Sequence, residues 1–181
     1  MKEKTVSYSR GRVTYEEATS IVAQYAPFRF FVTLTFRRPT SKREGNAYLK
    51  AIVKRLHRTI LGSRWRQRVR IEGVASLETT VYRRQGSKIV QGCHFHLLVK
   101  DHPVFAEDEV AARRALKKAL MKVTRGMKHS SVTELFHKKS GVRVDPVRDA
   151  AICGYIVKEA RNGDAWDISE RLFLIERLPE D

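Results

Sequence analysis

The chain has 181 residues, with 36 Lys and Arg against 20 Asp and Glu, a formal charge of +16 and 42% hydrophobic residues. That suits one ordinary domain with a sizeable core and excludes wholesale disorder. No stretch approaches the roughly 18 apolar residues of a membrane span, no apolar core follows Met1-Lys2-Glu3 as in a secretory signal, and Cys93 and Cys153 form neither a disulfide framework nor a CxxC zinc pair. So large a positive excess opposes compaction by self-repulsion and points to a polyanionic partner, most simply a nucleic acid.

With no repeat, low-complexity run or Pro/Gly/Ser-rich linker, residues 1–181 read as a single domain, its first 12 residues a flexible basic arm. Thr14 and Glu17 make a capping box for a helix through about Tyr25, stopped by Pro27. Residues 28–36 alternate as a strand, with Phe30, Val32, Leu34 and Phe36 on one face and Thr33 and Thr35 on the other. Ser41 with Glu44 caps a second helix, whose Leu49, Ile52, Val53, Leu56 and Ile60 keep helical spacing until Gly62. Arg64, Arg66, Arg68 and Arg70 then alternate with Trp65, Gln67, Val69 and Ile71, which predicts a strand. Continued in phase, it puts Ala75 and Leu77 on the apolar face and Ser76 and Glu78 with the arginines.

Gln85-Gly86-Ser87 is a turn signal, after which residues 89–100 alternate again, with Phe95, Leu97 and Val99 opposite His94, His96 and Leu98. Asp101-His102-Pro103 breaks that strand, and residues 107–122 form an amphipathic helix. Its Ala112, Leu116, Ala119 and Leu120 point inward, while Arg113, Arg114, Lys117 and Lys118 point outward. Leu135–Phe136 and Val142–Val144 suggest a hairpin through Lys138-Lys139-Ser140-Gly141. A last helix runs from about Arg148 to Arg161, closed by Asn162-Gly163, and Leu172–Ile175 is an apolar segment of unassigned type.

On a strand, His94 and His96 point both imidazoles to one face, a natural pair of metal ligands if not simply polar surface. In a hairpin turning at Gly86, Glu78 stands opposite His94, and turning at Ser87 it stands opposite His96, with Cβ atoms about 5 Å apart. A two-residue turn between those centres sets Glu78 against Phe95, on the wrong face. Two imidazoles and a carboxylate with open positions suit Mg²⁺ or Mn²⁺ work on phosphates, and Glu78 as a partner for nearby arginines is the competing reading. On a helix, Tyr155 and Lys158 project from one face, where an ammonium favours the phenolate and offsets charge on a phosphate. A half-buried packing tyrosine is the plainer alternative. Trp65 either stacks on a base or packs inward with Val69 and Ile71.

In order, Phe31-Val32-Thr33-Leu34-Thr35-Phe36, His94-Phe95-His96-Leu97-Leu98-Val99 and Tyr155-Ile156-Val157-Lys158 resemble the three motifs of HUH endonucleases. The nearest subgroup is the rolling-circle replication initiators of plasmids and single-stranded DNA viruses, over residues 28–162. The resemblance implies an α+β domain with a central antiparallel sheet, helices on one face and an active-site groove on the other. It implies His94, His96 and Glu78 as ligands of a divalent ion (Mg or Mn), Tyr155 as nucleophile and Lys158 as its basic companion. Thr33 and Thr35 fall in a first motif that is largely structural.

The activity so implied is nicking and joining of single-stranded DNA, at an origin or hairpin, through a 5′-phosphotyrosine. Arg64, Arg66, Arg68, Arg70, Arg113, Arg114, Lys117 and Lys118 would track backbone phosphates. A single-strand transposase of the same superfamily and a non-catalytic basic nucleic-acid-binding protein are the alternatives. Many such initiators carry a helicase domain after the nuclease that this sequence does not contain, so either a host helicase is expected to serve or the sequence is a piece of a longer protein. A cytoplasmic location is expected, or a host nucleus for a eukaryotic virus. There is no second tyrosine one turn from Tyr155, where Ala151 and Glu159 stand. Glu159 matches a carboxylate that activates water in some relatives, but on a helix it reads as facing solvent. His57, His102, His129 and His137 lack motif context and read as structural or surface residues.

Overall fold

Both capping boxes form in the computed structural model of the chain, which describes residues 12–37, 39–85, 88–125, 127–129, 133–136, 140–162 and 167–177. Thr14 Oγ1 accepts from the Glu17 N–H at 3.2 Å, and the Glu17 carboxylate accepts from the Thr14 N–H at 2.8 Å, opening α1 (Tyr15–Ala23). After β1 (Phe30–Thr35), Ser41 and Glu44 open α2 (Lys42–Leu61) in the same way. Gly62 ends α2 at φ 85°, a conformation that a Cβ makes costly. Then follow β2 (Gly73–Gln85), β3 (Lys88–Val99), α3 (Glu109–Arg125) and the two-residue strands β4 (Lys128–His129) and β5 (Thr133–Glu134). β6 (Val142–Pro146), α4 (Ala151–Tyr155), α5 (Ile168–Arg171) and β7 (Leu172–Leu174) complete the order.

Five strands form one sheet in the order β6-β1-β3-β2-β7, every pairing antiparallel, while β4 and β5 make a separate ribbon. The predicted α+β class with an antiparallel sheet is what the chain adopts. Period-two alternation gives the sheet two faces. Phe30, Val32 and Leu34 of β1, Ala75 and Leu77 of β2, and Phe95 and Leu97 of β3 pack on the apolar sides of α2 and α3. Burying each large side chain here stabilises by roughly 1.5–3 kcal/mol, set against the entropy of ordering it. Val74 and Leu98 face the other way, against Ala18 and Val22 of α1 and against Cys153, Ile156 and Val157. Helices therefore cover both faces, not one as expected. The second layer is made of short pieces, and beside it opens a groove of about 780 Å³ lined by Tyr15, Phe31, Arg148, Tyr155, Lys158 and Arg161.

Several sequence expectations change. The arginine alternation is no strand: Trp65–Gln67 is a 3₁₀ turn, and residues 68–72 lead into β2 outside any helix or strand. Identity alternates there but burial does not, since Val69 is 71% exposed while Trp65 is buried and stacked on His57 with ring centroids 5.4 Å apart. Leu135–Phe136 and Val142–Val144 do not pair with each other. Phe136 bridges to Phe36, and β6 pairs along β1, so both extend the sheet from β1. The helix expected to reach Arg161 stops at Tyr155, and a 3₁₀ stretch covers Lys158–Asn162. Gly154 and the β-branched pair Ile156–Val157 are poor helix formers. The unassigned apolar segment is β7 with a 3₁₀ turn after it. The Gly86-Ser87 and Lys138-Lys139 turns, Gly163, His137 and the arm before Arg12 lie outside the described residues. Among those described, no helix is long and apolar enough to cross a membrane.

Candidate metal centre

Glu78 and His94 are direct partners across β2 and β3. The outer rungs run in a different register. Gln85 pairs with Lys88 and Val81 with Gly92, and that pattern continued inward would set Glu78 against Phe95. Between Glu78 and Val81, however, Thr79 and Thr80 of β2 oppose Cys93 alone. This bulge shifts the pairing by one residue, which in a strand means a change of face. Glu78 thereby meets the imidazoles.

One carboxylate oxygen, Glu78 Oε2, lies 2.7 Å from His94 Nε2, 2.9 Å from His96 Nε2 and 2.9 Å from Lys158 Nζ. The two Nε2 atoms are 2.9 Å apart, and the three potential ligand atoms fall within 4.8 Å of one another. Three lone-pair donors converging on one point fit a divalent cation. Burial alone would raise the Glu78 carboxyl, but hydrogen bonds from His94, His96 and Lys158 outweigh it and hold it well below the usual carboxylate range. Burial lowers His96 despite the pull of Glu78, which favours the neutral imidazole that ligation needs. Desolvation would lower Lys158 too, yet its bonds to Glu78 and Tyr155 raise it and keep its charge.

Tyr155, at the end of α4, is 45% exposed. Its ring centroid lies 5.3 Å from that of His96, and Lys158 Nζ sits 4.3 Å over the ring. Phe31 stacks on His96 at 5.1 Å and meets Tyr155 edge-on at 5.7 Å. Thr33 Oγ1 is 3.2 Å from His96 Nδ1. Phe31 and Thr33 thus support the site, within a first motif that sequence reasoning took as largely structural and gave no chemistry. The available signal was the odd face of β1, where Thr33 pairs directly with His96.

Glu159 does not face solvent. It is 8% exposed, Oε1 accepts the Thr79 N–H at 2.8 Å, and Oε2 pairs with Arg171. The break after Tyr155 turns this carboxylate inward, onto the β2 bulge. Consecutive residues Lys158 and Glu159 therefore grip consecutive residues Glu78 and Thr79.

The predicted phosphate-tracking cations are not brought to this centre. Arg113, Arg114, Lys117 and Lys118 are exposed on α3, whose buried side packs on the opposite sheet face. Arg64, Arg66 and Arg68 are exposed around the turn after α2, also in that layer. Arg70 is half-buried, donating to the Glu176 carbonyl at 2.6 Å and lying over the Trp65 ring. No family model, curated protein or solved structure matches the chain.

Proposed function

We propose that this chain nicks and rejoins single-stranded DNA through Tyr155, with a divalent ion, Mg²⁺ or Mn²⁺, held by Glu78, His94 and His96. What carries the reading is the meeting of a Glu-His-His cluster with an exposed phenol and a charged lysine, the Tyr155 ring 5.3 Å from His96. The motif order resembling HUH endonucleases supports it, as does the charge of +16. A bound ion would polarise the scissile phosphate and offset the charge that builds on it.

Tyr155 attacks phosphorus in line, and its phenolic proton goes to solvent. The bond from phosphorus to the 3′ oxygen breaks and that oxygen takes a proton from solvent, giving a 5′-phosphotyrosine and a free 3′-hydroxyl. Attack by a 3′-hydroxyl on that ester reverses the step and joins strands without outside energy. Lys158, charged beside the phenol, steadies negative charge on both. Initiation of rolling-circle replication is the use this chemistry suits.

The test incubates a labelled single-stranded, origin-like oligonucleotide with Mn²⁺ and seeks a covalent adduct. The adduct is expected with the native chain and is expected to vanish in Tyr155→Phe. An adduct surviving that change means another nucleophile, and no adduct on a panel of hairpin and linear sites leaves a non-catalytic binding protein.

A further inference from the structure

Positive charge is unevenly spread along this chain. Residues 47–71 hold eight Lys and Arg with no Asp or Glu, and residues 110–132 hold seven with none. These two stretches carry 15 of the 36 cations and none of the 20 acids, so the remaining residues, with 21 cations, are nearly neutral. In the fold the stretches become most of α2 with its following turn, and α3 with the residues just after it. Both helices pack on the sheet face opposite Glu78 and His96. Most of their large apolar residues point inward, Val110 being exposed, and Lys54, Arg55, Arg58, Arg114, Lys117 and Lys118 are exposed. The acids of these helices, Glu44 and Glu109, sit in the first turns, where the helix dipole favours negative charge. Nearly the whole net charge of the chain thus belongs to one helical layer.

The chemistry of that layer selects its ligand. Among the described residues, no aromatic side chain of α2, the 3₁₀ turn or α3 is exposed: Tyr48 is half-buried and Trp65 buried. Single strands are held on exposed rings that stack with bases, and membrane-lying helices carry Trp, Phe or Leu on the outer side. A surface of cations without such groups suits phosphates that already stand in a rigid array. Helices of 20 and 17 residues span about 30 and 25 Å, most of the roughly 34 Å of one duplex turn. We propose that the outer surface of α2 and α3 is a second nucleic-acid site, one that takes the backbone of a duplex. It lies across the sheet from the candidate metal centre, so duplex and reacting single strand would be held on opposite sides.

The test uses the full chain with Lys54, Arg58, Lys117 and Lys118 all changed to Gln, exposed positions outside the core. Anisotropy with a labelled duplex of about 20 base pairs is followed across a salt series, since each lost phosphate contact should flatten the slope of log affinity against log salt by about 0.9. The expected result is a Kd for duplex raised about tenfold or more near 0.1 M salt, with a shallower slope. Thermal melting and Mn²⁺ affinity should stay unchanged. An unchanged slope overturns the proposal. So does an equal loss of affinity for single-stranded oligothymidine, or tighter binding of the native chain to phosphatidylserine vesicles than to duplex. The measurement requires no adduct at Tyr155, so its failure and that of the nicking reading are separate.

Discussion

The hydroxyl of Thr33 lies 3.2 Å from Nδ1 of His96, while Nε2 of the same ring faces Glu78. A hydroxyl can donate to or accept from Nδ1, so Thr33 serves either tautomer: with Nε2–H donating to Glu78 it donates, and with Nε2 free to ligate it accepts. The tautomer with Nδ1–H, the one ligation through Nε2 requires, has Thr33 as its acceptor. Thr33→Val keeps the shape of the side chain and removes that acceptor. Mn²⁺ affinity, read by calorimetry, should weaken about 10- to 100-fold. An unchanged affinity would mean that Thr33 merely fills space.

Glu159 ties the segment bearing Tyr155 to the bulge beside Glu78. A helix of five residues has little rigidity of its own, so this anchor should fix where the phenol stands. Glu159→Ala leaves the Thr79 N–H and the Arg171 charge without it, and should cost about 1–3 kcal/mol of stability. Adduct formation at saturating Mn²⁺ should slow by roughly 10²-fold, as misplacement of about 1 Å does elsewhere. Glu159→Gln keeps an acceptor for Thr79 and should fall between. The two readings are melting temperature and single-turnover rate, and an alanine variant matching the native chain in both refutes the anchor.

His57 predicts a pH dependence of stability away from the site. It is fully buried, its Nε2 accepts the Ile71 N–H at 3.1 Å, and burial, the largest influence, lowers it below the usual imidazole range. The unfolded chain therefore takes up a proton at higher pH than the folded chain. Stability is full above about pH 6.5 and declines as pH falls below it, because the unfolded state then binds more protons. Urea midpoints measured in EDTA at pH 7.5 and 5.5 should show that decline. His57→Phe keeps a ring against Trp65 and should make it shallower without abolishing it, because buried His96 is lowered in the same direction. An equal decline in both proteins would rule His57 out.

How legible each part was depended on the kind of signal that encoded it. Leu49, Ile52, Val53 and Leu56 repeat at helical spacing and pack as that spacing predicts. The alternation through His94, Phe95 and His96 likewise assigned each side chain to its face. The arginines from Arg64 to Arg70 alternate as well, yet no sheet edge receives them, so period two misled there. Register between β2 and β3 stayed open among three possibilities because a bulge adds one residue without altering composition. Glu159 was misread for a different reason. Its partner Thr79 is 80 positions away, and a continuous helix would have pointed it outward.

The imidazoles ride on β3, the middle strand, hydrogen-bonded along both edges, while the phenol stands at the rim on a single helical turn. Local opening should therefore reach the tyrosine long before it reaches the histidines. On the proposed reading, gentle warming would silence strand transfer before Mn²⁺ binding is lost: Tyr155 would be the fuse of this fold, and the Glu78, His94 and His96 cluster its frame.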